Sequence, residues 1–266
     1  MPGIELKEVS YIRDKVIILD AVNLHLPRGK STAVIGVSGS GKTSLLKVAA
    51  GLIPPDAGEV LYEEKNVQSL PPRREDEFRL KTGFCFQDAA LWSNKSIYDN
   101  ITLPIRYHFP ATPAKELKER AESLLRQLGY RDSLHLRPAQ LSTGEKKIVS
   151  FGRSVVNNPD ILFLDDPLLS VDPHAGELIT NYLKGMKARG TTIFLTSHDP
   201  RFLASFSDYI VVIEDGKIID QGAQEELKRN RQPRTDEILT RYLEELGIYN
   251  DDILSLLDEG ENPFAL

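Results

Sequence analysis

The 266-residue chain has almost no cysteine. Cys85 is its one thiol, so no intrachain disulfide can form, and the composition suits a reducing compartment. Long apolar runs are also missing: no stretch approaches the roughly 18–20 residues that a membrane-spanning helix needs. Met1 to Lys7 lacks a basic start followed by an apolar core, so no signal peptide is expected. If the protein acts at a membrane, another chain supplies the spans. Basic charge is not in excess either. The 33 Lys and Arg stand against 39 Asp and Glu, a net charge of −6, which argues against nucleic-acid binding driven by bulk charge. Internal repeats, low-complexity blocks and long heptad runs are absent.

The chain nonetheless has 41% hydrophobic and 27% charged residues, enough to bury a sizeable core in one or two domains. Its negative charge is concentrated in residues 235–266, where nine acids face a single base, Arg241. The rest of the chain is close to neutral.

Short runs apolar on successive residues recur at Thr32–Ile35, Ile161–Leu164 and Thr191–Leu195. Such runs suit strands covered on both faces of a parallel sheet. Helical patterns lie between them, which predicts an α/β core. Glu214-Asp215-Gly216-Lys217 reads as a hairpin turn. A helix is expected over 112–129, with Thr112 as cap, Pro113 at the first position and Gly129 at the end. Its apolar stripe is Leu117, Ala121, Leu124, Leu125 and Leu128. A second helix is expected over about 235–246, capped by Thr235, with the stripe Ile238, Leu239, Tyr242, Leu243 and Leu246. A shorter apolar group comes next, at Ile253, Leu254, Leu256 and Leu257. This tail can fold back on its own domain or bury its stripe against another subunit.

Gly36-Val37-Ser38-Gly39-Ser40-Gly41-Lys42-Thr43, with Ser44 after it, succeeds an apolar strand and matches the P-loop pattern. Its glycines let backbone N–H groups converge on a phosphate. The next helix adds its positive end, Lys42 a full charge, and Thr43 a hydroxyl for Mg²⁺. Ile161–Leu164 ends in Asp165-Asp166, where one carboxylate can serve a metal and the other an attacking water. Alone, that pair could instead cap a helix. Leu141-Ser142-Thr143-Gly144-Glu145-Lys146-Lys147 alone reads as a capping box, Ser142 with Glu145. Gln87 and His198 say little singly.

The ordered array of P-loop, Gln87, Ser142-Thr143-Gly144-Glu145, Asp165-Asp166, Ser170-Val171-Asp172 and Thr196-Ser197-His198-Asp199 resembles the nucleotide-binding subunit of ABC transporters. The likeness covers about residues 4–225. It implies an α/β fold: a RecA-like P-loop NTPase core with an antiparallel β subdomain and an inserted α-helical subdomain. By that likeness residues 1–230 form the ATPase domain, with the helical subdomain at about 90–158. Residues 231–266 form an acidic helical extension available for inter-subunit contact. The cofactors implied are ATP and Mg²⁺. Two subunits would pair head to tail, so that Ser142 and Gly144 reach the γ-phosphate of ATP on the partner's P-loop. Thr43, Gln87 and Asp165 would support Mg²⁺, Asp166 would serve as general base, His198 would contact the γ-phosphate, and Asp172 would lie at the dimer interface. A separate integral permease would carry the cargo, with this subunit at the cytoplasmic face of the inner membrane.

Three departures from the family pattern stand out. Asp166 replaces the usual Glu and is one methylene shorter, roughly 1.5 Å less reach, which predicts slow hydrolysis. Thr143 stands where the signature has Gly. Both changes also occur in degenerate sites of heterodimers, so the second ATPase subunit can be a copy of this chain or a different one, a homodimer before a heterodimer. The adenine-stacking aromatic aligns with Arg13, whose guanidinium plane can also stack on a base, with Tyr11 on the same side of the strand.

Within the family the chain is most similar to the ATPase subunits of Mla-type lipid transporters, which work with Mce proteins. Val9–Asp14, Pro27–Lys30, Phe86–Trp92 and Tyr98–Pro104 carry that likeness, as does the extension from Gln232. It implies transport of phospholipid or another lipid, a possible Mce-type lipid-binding partner, and a groove between Gln87 and Tyr107 that receives the permease, with Trp92 and Tyr98 as contacts. The alternative is a soluble ABC ATPase of a cytosolic assembly such as a Suf-type iron–sulfur scaffold.

Overall fold

Buried strands and amphipathic helices alternate along the chain as the pattern requires. The computed structural model describes residues 3–229 and 232–247. The apolar group Ile253 to Leu257 and the acids from Asp251 onward lie outside the described residues. Two compact units are present: Met1–Pro71 with Thr192–Leu266, and Pro72–Thr191.

The first unit opens with β1 (Ile4–Arg13), β2 (Val16–Leu26), β3 (Ser31–Ile35), α1 (Lys42–Ala49), β4 (Ala57–Tyr62) and β5 (Lys65–Asn66). The second contains α2 (Pro72–Lys81), β6 (Thr82–Cys85), α3 (Ile97–His108), α4 (Ala114–Gln127), α5 (Thr143–Val155), β7 (Ile161–Asp165) and α6 (Pro173–Ala188). The chain then returns to the first unit for β8 (Thr192–Thr196), α7 (Pro200–Phe206), β9 (Tyr209–Glu214), β10 (Lys217–Ala223), α8 (Gln224–Arg229) and α9 (Pro233–Glu245).

In the first unit, β2-β1-β4-β5 form an antiparallel sheet. A second layer runs β10-β9-β3-β8, with β3 parallel to both neighbours. All five residues of β3 and of β8 are buried, which is why both read as unbroken apolar or small-polar runs. The Asp215-Gly216 turn joins β9 to β10. Both residues have positive φ, 46° and 76°, as a two-residue hairpin demands.

Helix α9 starts at Pro233, two residues before the position expected from Thr235. Proline suits that first position because its missing N–H has no helical partner. Thr235 Oγ1 instead donates to Asp220 across 2.8 Å. Ile238, Leu239, Tyr242 and Leu243 are buried within their own unit. Arg234 and Arg241 grip the buried carboxylate of Glu214 at 2.7 and 2.8 Å, and Tyr242 Oη donates to the Ser197 carbonyl.

In the second unit β6 and β7 pair in parallel. Helices α3, α4 and α5 meet at Gly152, where an added Cβ would lie 3.1 Å from Leu125 and 3.2 Å from Ile101. The α4 stripe is buried as its spacing required. The cap differs from expectation: Thr112 Oγ1 donates to the Phe109 carbonyl in the preceding turn, and Pro113 takes the capping position. A Thr that satisfies the turn before a helix is not available to cap it. Cys85 is fully buried beside Ser150. Burial pushes its thiol above the ordinary value, against the pull of the Lys147 charge.

Cys85 should therefore resist a thiol reagent such as DTNB at pH 8 and react only once denaturant opens the fold, as absorbance will report. Ile238→Ala should cost about 2–4 kcal/mol in urea unfolding. A change under about 0.5 kcal/mol, the range of an exposed site, would mean that α9 is not part of the folded unit.

Candidate nucleotide site

Each unit presents its own group of the expected residues. In the first, β3 ends at Ile35 and the chain bends at Gly36, where a Cβ would lie 2.2 Å from the Ile213 carbonyl oxygen. Only glycine fits there. Gly41 begins α1 at φ 105°, a left-handed conformation, with its missing Cβ 2.9 Å from the Ile18 carbonyl oxygen. The loop is braced from both sides: Ser40 N–H donates to the Val37 carbonyl, and Gly216 N–H to the Ser40 carbonyl. Ser40 Oγ is buried and has no hydrogen-bond partner among the described residues. Lys42 Nζ donates to the Gly36 and Val37 carbonyls at 2.7 and 2.9 Å, while Thr43 and Ser44 sit half-buried in the first turn of α1. Ser38 and Gly39 are exposed, and Val37 is buried.

An anion already meets this loop. Glu245, the last residue of α9, accepts from Ser38 N–H at 2.9 Å. A P-loop amide that takes up a carboxylate has the chemistry to take up a phosphate. The loop's donors, its orphaned hydroxyl and its glycine-only backbone therefore fit a nucleotide phosphate chain. In the same unit His198 is exposed beside Ser197. Asp199 caps α7 through the N–H groups of Arg201 and Phe202. Tyr11 is half-buried, and Arg13 is 74% exposed beside Asp14. Ile12, Val16 and Ile17 lie exposed around that hairpin.

In the second unit Asp165 and Asp166 are 2% and 4% exposed, and Asp166 turns the chain at φ 48°. Each unit offers hard oxygen donors of the kind that Mg²⁺ takes, Thr43 in the first and Asp165 and Gln87 in the second. Asp172 caps α6 through Ala175 N–H, so the Asp165-Asp166 pair is not the cap. Gln87 is exposed, but its backbone is held: Lys147 Nζ donates to the Phe86 and Gln87 carbonyls at 2.9 Å each, and to the Asp165 carbonyl at 3.3 Å. Arg153 adds bonds to the Ala89 and Ala90 carbonyls. Sequence reasoning misses Lys147, because Lys146-Lys147 reads as part of a solvated face. Its signal is positional: it lies one and four residues before Ile148 and Phe151, on the buried side of α5.

Ser142 caps α5 in a full capping box with Glu145. Ser142 holds the Glu145 carboxyl below its ordinary value, and a shared hydrogen bond with Asp132 raises that of Asp132. Gly144 is required by close packing, since a Cβ would lie 2.8 Å from the Ser170 carbonyl oxygen. A groove of about 450 Å³ is lined by Phe84, Phe86, Ala90, Trp92, Leu103 and Pro104, among others. Trp92 is 49% exposed there. Tyr98, expected on the same groove, lines a different cavity with Lys118 and Tyr130, because its position on α3 points it away from Leu103 and Pro104.

These features define a P-loop nucleotide-binding protein. The family model described as ABC transporter matches residues 19–169, and the chain belongs to that family. It is 31% identical to the intermembrane phospholipid transport system ATP-binding protein MlaF of Escherichia coli, over 89% of this chain and 88% of that protein. It is equally 31% identical to the methionine import ATP-binding protein MetN 1 of Shouchella clausii, over 92% of this chain and 72% of that one. Among solved structures, the dimeric post-hydrolysis form of the ATP-binding cassette MJ0796, bound to ADP and Pi, matches at TM-score 0.77 and 28% identity, covering 83% of this chain and 98% of that one. The fold is that of the ABC ATPase cassettes: an α/β P-loop core with an antiparallel β subdomain and a helical part. Among the described residues no helix is long and apolar enough to cross a membrane.

Gly41→Ala should weaken ATP binding at least about fivefold in a fluorescence titration, since the added strain is of order 1–3 kcal/mol, with the circular dichroism spectrum unchanged. Unaltered affinity would mean that this turn does not hold the phosphates.

Proposed function

We propose that this chain is the ATP-hydrolysing motor subunit of an ABC transporter that moves phospholipid or another lipid through a separate integral permease. The observation that carries the motor reading is the P-loop, with its glycine-only turn and an amide that already binds a carboxylate. The lipid reading is supported by similarity to MlaF along most of both chains, and the permease contact by the aromatic groove around Trp92, an aromatic surface of the kind that anchors protein partners.

In this reading the P-loop N–H groups and Lys42 bind the phosphates. Thr43, Gln87 and Asp165 offer oxygens to Mg²⁺, which, when bound, neutralises phosphate charge. Asp166 accepts a proton from the attacking water, and His198 and Gln87 orient the γ-phosphate and that water. Tyr11 and Arg13 flank the base. Ser142 and Gly144, at the positive end of α5, close on the nucleotide of a second ATPase subunit. The acidic helical extension, residues 231–266, supplies a contact to that subunit. The protein then works at the cytoplasmic face of the inner membrane, with an Mce-type lipid-binding protein in the assembly.

The shorter Asp166 keeps hydrolysis slow. Asp166→Glu should raise kcat roughly tenfold or more, because about 1 Å of misplacement costs up to 10²-fold. Unchanged turnover of ATP would remove that explanation. Affinity purification from detergent-solubilised membranes, with mass spectrometry of retained proteins and lipids, should recover an integral permease, an Mce-type protein and phospholipid. Recovery of soluble scaffold proteins alone would overturn the transport reading and leave ATP binding intact.

A further inference from the structure

Lys147 is a large, charged side chain at 2% exposure. Burying an ammonium costs several kcal/mol unless its protons are satisfied. Here all three have acceptors: the carbonyls of Phe86, Gln87 and Asp165. An ammonium is the side-chain group that fans three donors from one atom. Two of the acceptors belong to the segment that displays Gln87, and the third to the end of β7 that displays Asp165 and Asp166. The lysine itself sits on α5, five residues after Ser142 at the helix start. Arg153, on the same helix, holds Ala89 and Ala90, which adopt left-handed conformations at φ 65° and 46°. A backbone so strained persists only where its surroundings over-determine it.

We infer that Lys147 is a positioning residue that locks the Gln87 segment to the Asp165-Asp166 strand end and ties both to the signature helix α5. Lys147 touches no nucleotide. It sets the separation between water-orienting and metal-supporting groups within one chain, and it passes a displacement of the Ser142 end of α5 to both. This role rests on the chain being an ATPase.

The test compares Lys147→Met and Lys147→Arg in the full chain, by steady-state ATPase assay and by amide hydrogen exchange. In Lys147→Met, kcat should fall about 100-fold while the KM for ATP stays within about twofold, the split expected when only the reacting geometry is lost. Exchange at residues 86–90 should quicken at least about tenfold with the P-loop unaffected. Lys147→Arg keeps the charge but spreads its donors over a planar fork, so it should recover kcat only in part. If Lys147→Met does not fold, Lys147→Gln serves in its place. Wild-type kcat in the Met variant, or equal loss of kcat and nucleotide affinity, would each overturn the inference. If the wild-type chain hydrolyses no ATP, the ATPase reading fails, and unchanged exchange at 86–90 would then overturn the clamp on its own.

A second observation in the other unit stands independently. The last turn of α9 carries Glu244 and Glu245 and no base, although a helix C-terminus disfavours negative charge. Glu245 is compensated by the Ser38 N–H of the P-loop. The helix is pinned by Glu214, Asp220 and the Ser197 carbonyl, next to His198. We propose that Glu245 competes with nucleotide phosphate for that amide, which makes α9 a strap across the site. Glu245→Gln should bind ATP more tightly by about tenfold or more, the range of one charge-assisted hydrogen bond, while Glu244→Gln should match wild type. Equal or weaker binding in Glu245→Gln would remove the strap and leave the P-loop reading standing. No ATP binding by any of the three proteins would sink both.

Discussion

A parallel strand covered on both faces is confined to apolar and small residues along its length, so it can deliver charged chemistry only where it ends. That constraint organises this protein. β3 is buried throughout and gives way to the P-loop; β7 is buried throughout and ends in Asp165-Asp166; β8 is buried throughout and ends before Ser197-His198. In each case the residues proposed for the chemistry stand where the apolar run gives out. The core that stabilises the fold also aims the chemistry.

The segment past each strand end is held by backbone contacts rather than by side-chain bulk. Gly36 and Gly41 allow the P-loop to touch the Ile213 and Ile18 carbonyls. Gly144 allows the start of α5 to touch the Ser170 carbonyl. In the second unit Lys147 and Arg153 reach the carbonyls of the loop after β6. Burying the Lys147 ammonium costs desolvation energy, which its three carbonyl acceptors offset while fixing the position of both segments.

Much of this is legible along the chain because the signals are local. The runs at β3, β7 and β8, the Asp215-Gly216 hairpin, the Ser142–Glu145 box and the α4 stripe depend on residues within a few positions of one another, and each is present in the structure. The P-loop belongs to the same class. The Thr112 and Thr235 caps fail for the opposite reason. Each hydroxyl has an alternative partner, the Phe109 carbonyl or the Asp220 carboxylate, and the second of these lies on a different element. Tyr98 falls on a surface other than the expected one because spacing alone does not say which side of α3 meets which cavity.

By itself, then, the sequence determined the α/β class, the order of the motifs and the family to which they belong. Those depend on periodicity and on residue types at short spacing. Tertiary structure alone decided that Lys147 is buried, that its protons reach the Phe86, Gln87 and Asp165 carbonyls, and that Glu245 meets Ser38 from the far end of the chain. The physical reason is that a charged side chain carries no mark of its own burial. Whether Lys or Glu faces water or a backbone group depends on which distant segment the fold brings beside it.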